Sequence, residues 1–139
     1  MSGIICTSEA ATIALHAAGI LAAHDGPVSA HAMAGALGAS EATLSKVMQR
    51  LVKAGLVTSK RGPHGGFELA RTPKEITLLK VYEAVEGVIE VKHCLLGAPV
   101  CGKKRCPLGG LFEKVSREVA EMLSKTTLHE FNVPVVTEG

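Results

Sequence analysis

The 139-residue chain reads as a mainly α-helical protein with one small β-hairpin and a long helix near its end. Apolar residues recur at helical spacing in several separate stretches. One intervening segment is instead rich in Gly, Pro and basic residues, with short β-prone runs on either side. Aromatics are scarce: Phe67, Tyr82, Phe112 and Phe131, with no Trp. The core must therefore come from Ala, Leu, Val and Ile, which suits packed helices.

The first helix is expected from Ser8 to about Ala23. Ser8 suits an N-cap, and Ile13, Ala14, Ala17 and Leu21 keep helical spacing. Asp25-Gly26-Pro27 stops it. A second, short helix starts near Ser29 and ends before Gly38. Ser40 caps a third, in which Leu44, Val47, Met48 and Leu51 form one apolar face. Thr43, Ser45, Lys46, Gln49, Arg50 and Lys53 form the other, and Gly55 follows its end.

Leu56 to Ser59 reads as a short strand and Phe67 to Leu69 as its return. The turn between them is Lys60-Arg61-Gly62-Pro63-His64-Gly65-Gly66. Short helices followed by a hairpin with a basic tip make the winged helix-turn-helix layout, with the hairpin as the wing. Thr77 suits the cap of a fourth helix, Leu78 to Glu86, closed by Gly87. Leu108, Leu111, Phe112, Val115, Val119, Met122 and Leu123 then recur at three-to-four spacing, a helix of about four turns. Its apolar stripe needs a partner. A second copy of the chain is the natural choice, and packing back on the same chain is the alternative. Residues 1–71 form the DNA-binding region in this reading, and residues 72–139 the cysteine loop and dimerisation helix of one compact domain with an extension. Asn132 to Gly139 reads as a frayed tail.

Net charge is only +2, yet residues 40–71 hold six basic side chains against two acidic ones. Such a stretch points to a polyanion. The longest apolar run, residues 10–23, is too short to span a membrane and carries His16. Glu9 stands where a signal peptide needs positive charge, so a cytoplasmic protein is expected. There is no Cys-x-x-Cys, no recognisable nucleophile–base pair and no nucleotide-binding loop, so catalysis is not expected.

Several stretches carry a family likeness. They are Ile13-Ala14-Leu15-His16-Ala17, Leu51 to Val57, and the wing Arg61-Gly62-Pro63-His64-Gly65-Gly66-Phe67-Glu68-Leu69-Ala70. Glu75-Ile76-Thr77, Glu86-Gly87, the cysteines and Thr126-Thr127-Leu128 continue it. In these the chain resembles the Rrf2 family of bacterial winged-helix regulators, whose members include iron–sulfur-cluster and nitric-oxide-sensing regulators. The resemblance runs from about Ser8 to Phe131. It implies a homodimer with two heads joined by crossed long helices, and a cluster site between one head and the other subunit's cysteine loop.

On that layout the third helix enters the major groove of an operator by its N-terminus. Ser40, Thr43 and Ser45 approach phosphates or base edges, and Lys46 and Arg50 follow one turn on. Arg50 has a structural alternative, bridging to the wing. Some family members place an acid where Ser45 stands, which can accept from a cytosine amine; with Ser45 here the operator sequence is left open. Arg61 is the candidate for minor-groove insertion, flanked by Lys60 and His64 as phosphate contacts.

Cys94, Cys101 and Cys106 fall within thirteen residues. Their spacing lacks the two-residue knuckle of a zinc finger, which disfavours zinc. Gly97, Pro99, Gly102 and Pro107 give a wrapping loop, and Lys103, Lys104 and Arg105 would stabilise an anionic thiolate cluster. The expected cofactor is a 2Fe–2S or 4Fe–4S cluster. A fourth ligand is needed. The resemblance places a His three residues past the last Cys in some members, but here that residue is Gly109. In others the ligand comes from the partner's first helix, where His16 matches and Glu9 is the alternative. His93 is a third candidate, hampered by its adjacency to Cys94, and Cys6 has no assigned role. The expected function is a DNA-binding regulator, a repressor, controlled by that cluster. The alternative is a metal-free regulator switched by a disulfide among the same cysteines.

Overall fold

The computed structural model describes residues 7–91, 96 and 106–134. Helices α1 (Glu9–Ala23), α2 (Ala30–Leu37) and α3 (Glu41–Lys53) come first. Strands β1 (Val57–Lys60) and β2 (Gly66–Leu69) follow, then α4 (Leu78–Glu86) and α5 (Pro107–Lys125). The expected class, mainly helical with a two-strand antiparallel hairpin, is the observed one.

Local chemistry sets the helix starts. Ser8, Ser29, Ser40 and Thr77 each accept, through the side-chain oxygen, from the N–H three residues on. That satisfies one of the orphan donors of a helix start, a contribution of about 1 kcal/mol each. Helix α5 differs: it opens on Cys106 with no side-chain cap and has Pro107 in its first turn. It spans 19 residues, about one turn longer than its apolar spacing predicted. A short 3-10 turn, Pro73–Glu75, was not expected from the sequence.

The core is aliphatic, as the scarcity of aromatics requires. Ile20, Met33, Leu44, Met48, Leu51, Ile76, Val81 and Leu128 are almost fully buried. Helix α4 packs against α1, α3 and α5, so this core continues past residue 71 into the second half of the chain. The chain after α5 also returns to the head. The Leu78 N–H donates to the Thr126 carbonyl and the Leu128 N–H to the Ile76 carbonyl, both at 2.9 Å. The expected tail is tied to the head at its start. The Val133 N–H donates to the Gly19 carbonyl at 2.9 Å, and a Cβ on Gly19 would lie 2.8 Å from the Val133 side chain. Residues 135–139 of that expected tail lie outside the described residues.

The wing pairs Val57 with Leu69, Thr58 with Glu68, Ser59 with Phe67 and Lys60 with Gly66. Val57 and Phe67 point into the core, so Thr58, Lys60 and Glu68 face outward. The wing is fixed at its base by a further bridge. The Val28 and Phe67 backbones exchange two N–H···O bonds of 2.9 Å. That approach needs Gly66, which has φ +153 and whose added Cβ would lie 2.4 Å from the Val28 oxygen. Gly66→Ala is therefore expected to lower unfolding stability by about 2–3 kcal/mol, read as a lower urea midpoint. An unchanged midpoint would show that the bridge to Val28 does not hold the wing.

Candidate nucleic-acid interface and cysteine site

The start of α3 is exposed and built on Ser40. Its Oγ accepts from the Thr43 N–H at 3.1 Å and lies 2.8 Å from the Thr43 hydroxyl. Ser40 thus serves first as the cap, and any further contact shares an oxygen already in use. Thr43 and Ser45 are half-buried; Lys46 and Gln49 are exposed. All lie within the first two and a half turns of the helix.

Arg50 is exposed, and of the two roles expected for it the bridge to the wing is not the one formed. Its Nη1 donates to the Val85 carbonyl at 3.1 Å. That carbonyl belongs to the last turn of α4, where acceptors lack helical partners. Arg50 therefore ties α3 to α4 rather than to the wing. Sequence spacing held no sign of this, because the two residues meet only through tertiary packing.

On the wing, Arg61 and His64 are exposed at the tip, and the Gly65 N–H donates to the Gly62 carbonyl at 2.9 Å to close it. Lys60 is exposed as well, but its Nζ lies 2.6 Å from a Glu68 carboxylate oxygen. A second acid–base pair sits by α3: His31 Nδ1 contacts Glu41 Oε1. Glu41 and Glu68 are the two acids of the basic stretch, with no role expected of them from the sequence, and His31 stands out in no motif. Only the pairing of Thr58 with Glu68, with Lys60 on the same outward face, could have suggested one of these contacts.

The cysteine site is only partly within the described residues. Cys94 and Cys101 lie outside them, as do His93 and Cys6. Cys106 is a free, half-buried thiol at the start of α5, with its carbonyl accepting from the Gly110 N–H at 3.0 Å. Gly109 is buried and has no side chain to offer a ligand. Glu9 is exposed in the first turn of α1. His16 is half-buried, with Nδ1 2.7 Å from the Thr12 carbonyl oxygen. Its ring meets Phe131 edge-on, centroids 5.7 Å apart and planes at 76°. A carbonyl accepts only, so Nδ1 carries the hydrogen in that contact and Nε2 keeps its lone pair when the ring is neutral. Among the described residues, no three His, Cys, Asp or Glu side chains gather where they could hold a metal ion.

Helix α5 has two faces. Gly109 and Leu123 are buried, while Leu108, Leu111, Val119 and Met122 are 39–57% exposed. Part of the expected apolar stripe thus packs on its own chain and part is left open. No helix among the described residues is long and apolar enough to cross a membrane.

Comparisons with known proteins agree with this architecture. The family model described as Rrf2, iron-dependent transcriptional regulator, matches residues 7–132. The transcriptional regulator IscR of Photobacterium profundum is 34% identical over 118 residues, covering 85% of this chain and 65% of that protein. The chain therefore spans just under two thirds of that relative's length. Among solved structures, CymR, the global cysteine regulator of B. subtilis, superposes with a TM-score of 0.74 at 27% identity. That match covers 91% of this chain and 95% of CymR. IscR of T. potens gives a TM-score of 0.72 at 29% identity, covering 91% of this chain and 85% of the other.

Proposed function

Because this chain belongs to the Rrf2 family of transcriptional regulators, we propose that it represses transcription by binding a double-stranded operator as a homodimer. The observation that carries this reading is the wing. Arg61 stands exposed at the tip of a hairpin anchored to Val28, beside an α3 whose start is open to a groove. In the proposed complex α3 enters the major groove, and its first N–H groups, Thr43, Ser45 and Lys46 meet phosphates and base edges. Arg61 reaches the minor groove while His64 lies along phosphate, joined by Lys60 when it leaves Glu68. Arg50 contributes by holding α3 against α4. The open face of α5 is covered by a second copy, which sets two heads on two half-sites.

Binding to a duplex from the regulated promoter should fall steeply with salt, with log K dropping by about 0.9 per log unit of salt for each phosphate neutralised. Affinity independent of salt would exclude this interface.

We also propose that the cysteine loop controls that affinity. Three thiolates with an imidazole or carboxylate form a donor set suited to an iron–sulfur cluster. Cys94, Cys101 and Cys106 would hold it, with His16 or Glu9 contributed across the dimer as the fourth ligand. When bound, such a cluster supplies one-electron chemistry and sensitivity to oxidant, nitric oxide or iron supply. For the chain's own residues, Cys106 couples the loop to α5 directly, since it begins that helix. His16 supports this reading because its Nδ1 contact to a carbonyl leaves Nε2 for a ligand, the arrangement common among metal-bound histidines. A second reading is favoured by Cys106 being a free, half-buried thiol. In it, Cys101 and Cys106 (or Cys101 and Cys94) give two electrons and two protons to a peroxide and close a disulfide, with no metal.

A further inference from the structure

Two carboxylates stand among the cations of the proposed DNA face. Glu41, in the first turn of α3, pairs with His31 of α2; their side chains are 56% and 90% exposed. Glu68, on the outward side of β2, lies 2.6 Å from Lys60 Nζ; these are 27% and 56% exposed. Pairs this open to solvent contribute little to stability. Among the described residues neither acid makes another hydrogen bond or ion pair. Glu41 also suits the helix dipole as a first-turn acid, whereas nothing else among the described residues accounts for Glu68.

We infer that Glu41 and Glu68 are brakes on phosphate binding, which withhold positive charge from DNA on the face that reads it. The inference rests on the reading of this face as the DNA interface. Lys60 has to leave Glu68 before it can neutralise a phosphate, and the carboxylate left behind repels the same phosphate. Glu41 places a negative charge where the free N–H groups of α3 would otherwise attract one. A regulator held too tightly by phosphates is retained on the large excess of non-operator DNA. Acids on this face lower that background at all sequences alike.

The test measures binding of the full chain to a duplex of scrambled sequence, by anisotropy across a salt series. Glu68→Gln should steepen the salt slope by about 1.8 and tighten binding roughly sixtyfold near 0.1 M salt, the effect of one more phosphate contact on each of the dimer's two wings. Glu68→Gln with Lys60→Ala should lose that gain, which ties it to the freed Lys60. Glu41→Gln removes a repulsion of screened, surface strength, so binding should tighten about twofold. Thermal unfolding of each variant confirms that the fold is unchanged. Lys46→Ala and Arg61→Ala serve as references and should weaken binding. If they do and the two Gln variants bind no tighter than the parent, the brake is refuted and the interface stands. If Lys46→Ala and Arg61→Ala also change nothing, the interface itself is wrong and the brake falls with it. On operator duplexes varied one base pair at a time, a Glu41→Gln loss confined to one position would make Glu41 a base reader and overturn its role as a brake.

Discussion

Replacing Leu111 and Met122 together by Glu is expected to leave a folded monomer that binds a two-half-site operator about a hundredfold more weakly, or worse. Both side chains are more than half exposed on α5, at 55% and 57%, so the head does not depend on them. They share the open stripe with Leu108 and Val119. Covering the half of such a side chain that is still exposed is worth roughly 1–1.5 kcal/mol, and a symmetric contact counts each residue twice. A carboxylate there would have to lose water with no partner, which a dimer contact cannot tolerate. Two linked heads gain roughly 10²–10⁴ in avidity over one, and the monomer forfeits that gain. Sedimentation of parent and variant, with thermal unfolding as a fold check, reads the first half of this expectation; an operator titration reads the second. A variant that stays dimeric would move the dimer contact away from α5.

Arg61→Ala should weaken operator binding by about thirtyfold and flatten any preference for A·T-rich flanks. Arg61 is exposed at the wing tip, and no hydrogen bond or ion pair to the described residues competes for it. Loss of one guanidinium in a narrow minor groove is worth about 1 kcal/mol or more, and a dimer carries two wings, so roughly 2 kcal/mol is lost in all. The loss should exceed that of Lys60→Ala, because Lys60 is already paired with Glu68 while Arg61 is not. Titration at fixed salt on flanks of differing A·T content measures both effects. An Arg61→Ala protein with parent affinity would remove the wing from the mechanism.

Much of the fold is legible in the sequence because its causes are local. Ser8, Ser29, Ser40 and Thr77 mark helix starts through bonds only three residues long. Leu44, Val47, Met48 and Leu51 mark the buried side of α3 by their spacing alone. What the sequence hides joins distant residues. The bridge from Val28 to Phe67, the bond from Arg50 to Val85 and the pair of His31 with Glu41 have no periodic signature. The fold of Phe131 back onto His16 is of the same kind. The candidate site follows the same division. Residue types and spacing pick out the wing and the cysteines, whereas the pair of Glu41 with His31 and the Phe131 ring against His16 emerge only from packing. Arg50 shows the limit of pattern alone: it lies on the polar side of α3, and its bond to the Val85 carbonyl of α4 leaves no mark in that pattern.

Whether Cys94, Cys101 and Cys106 govern DNA affinity through an iron–sulfur cluster is decided most directly by anaerobic purification. Visible absorption, iron and acid-labile sulfide are measured on one sample, and operator affinity before and after the iron is removed. The expected result is a brown protein with matching iron and sulfide, whose operator affinity changes when the iron is lost. A colourless, iron-free protein from anaerobic cells, with operator affinity that follows thiol oxidation alone, would contradict it.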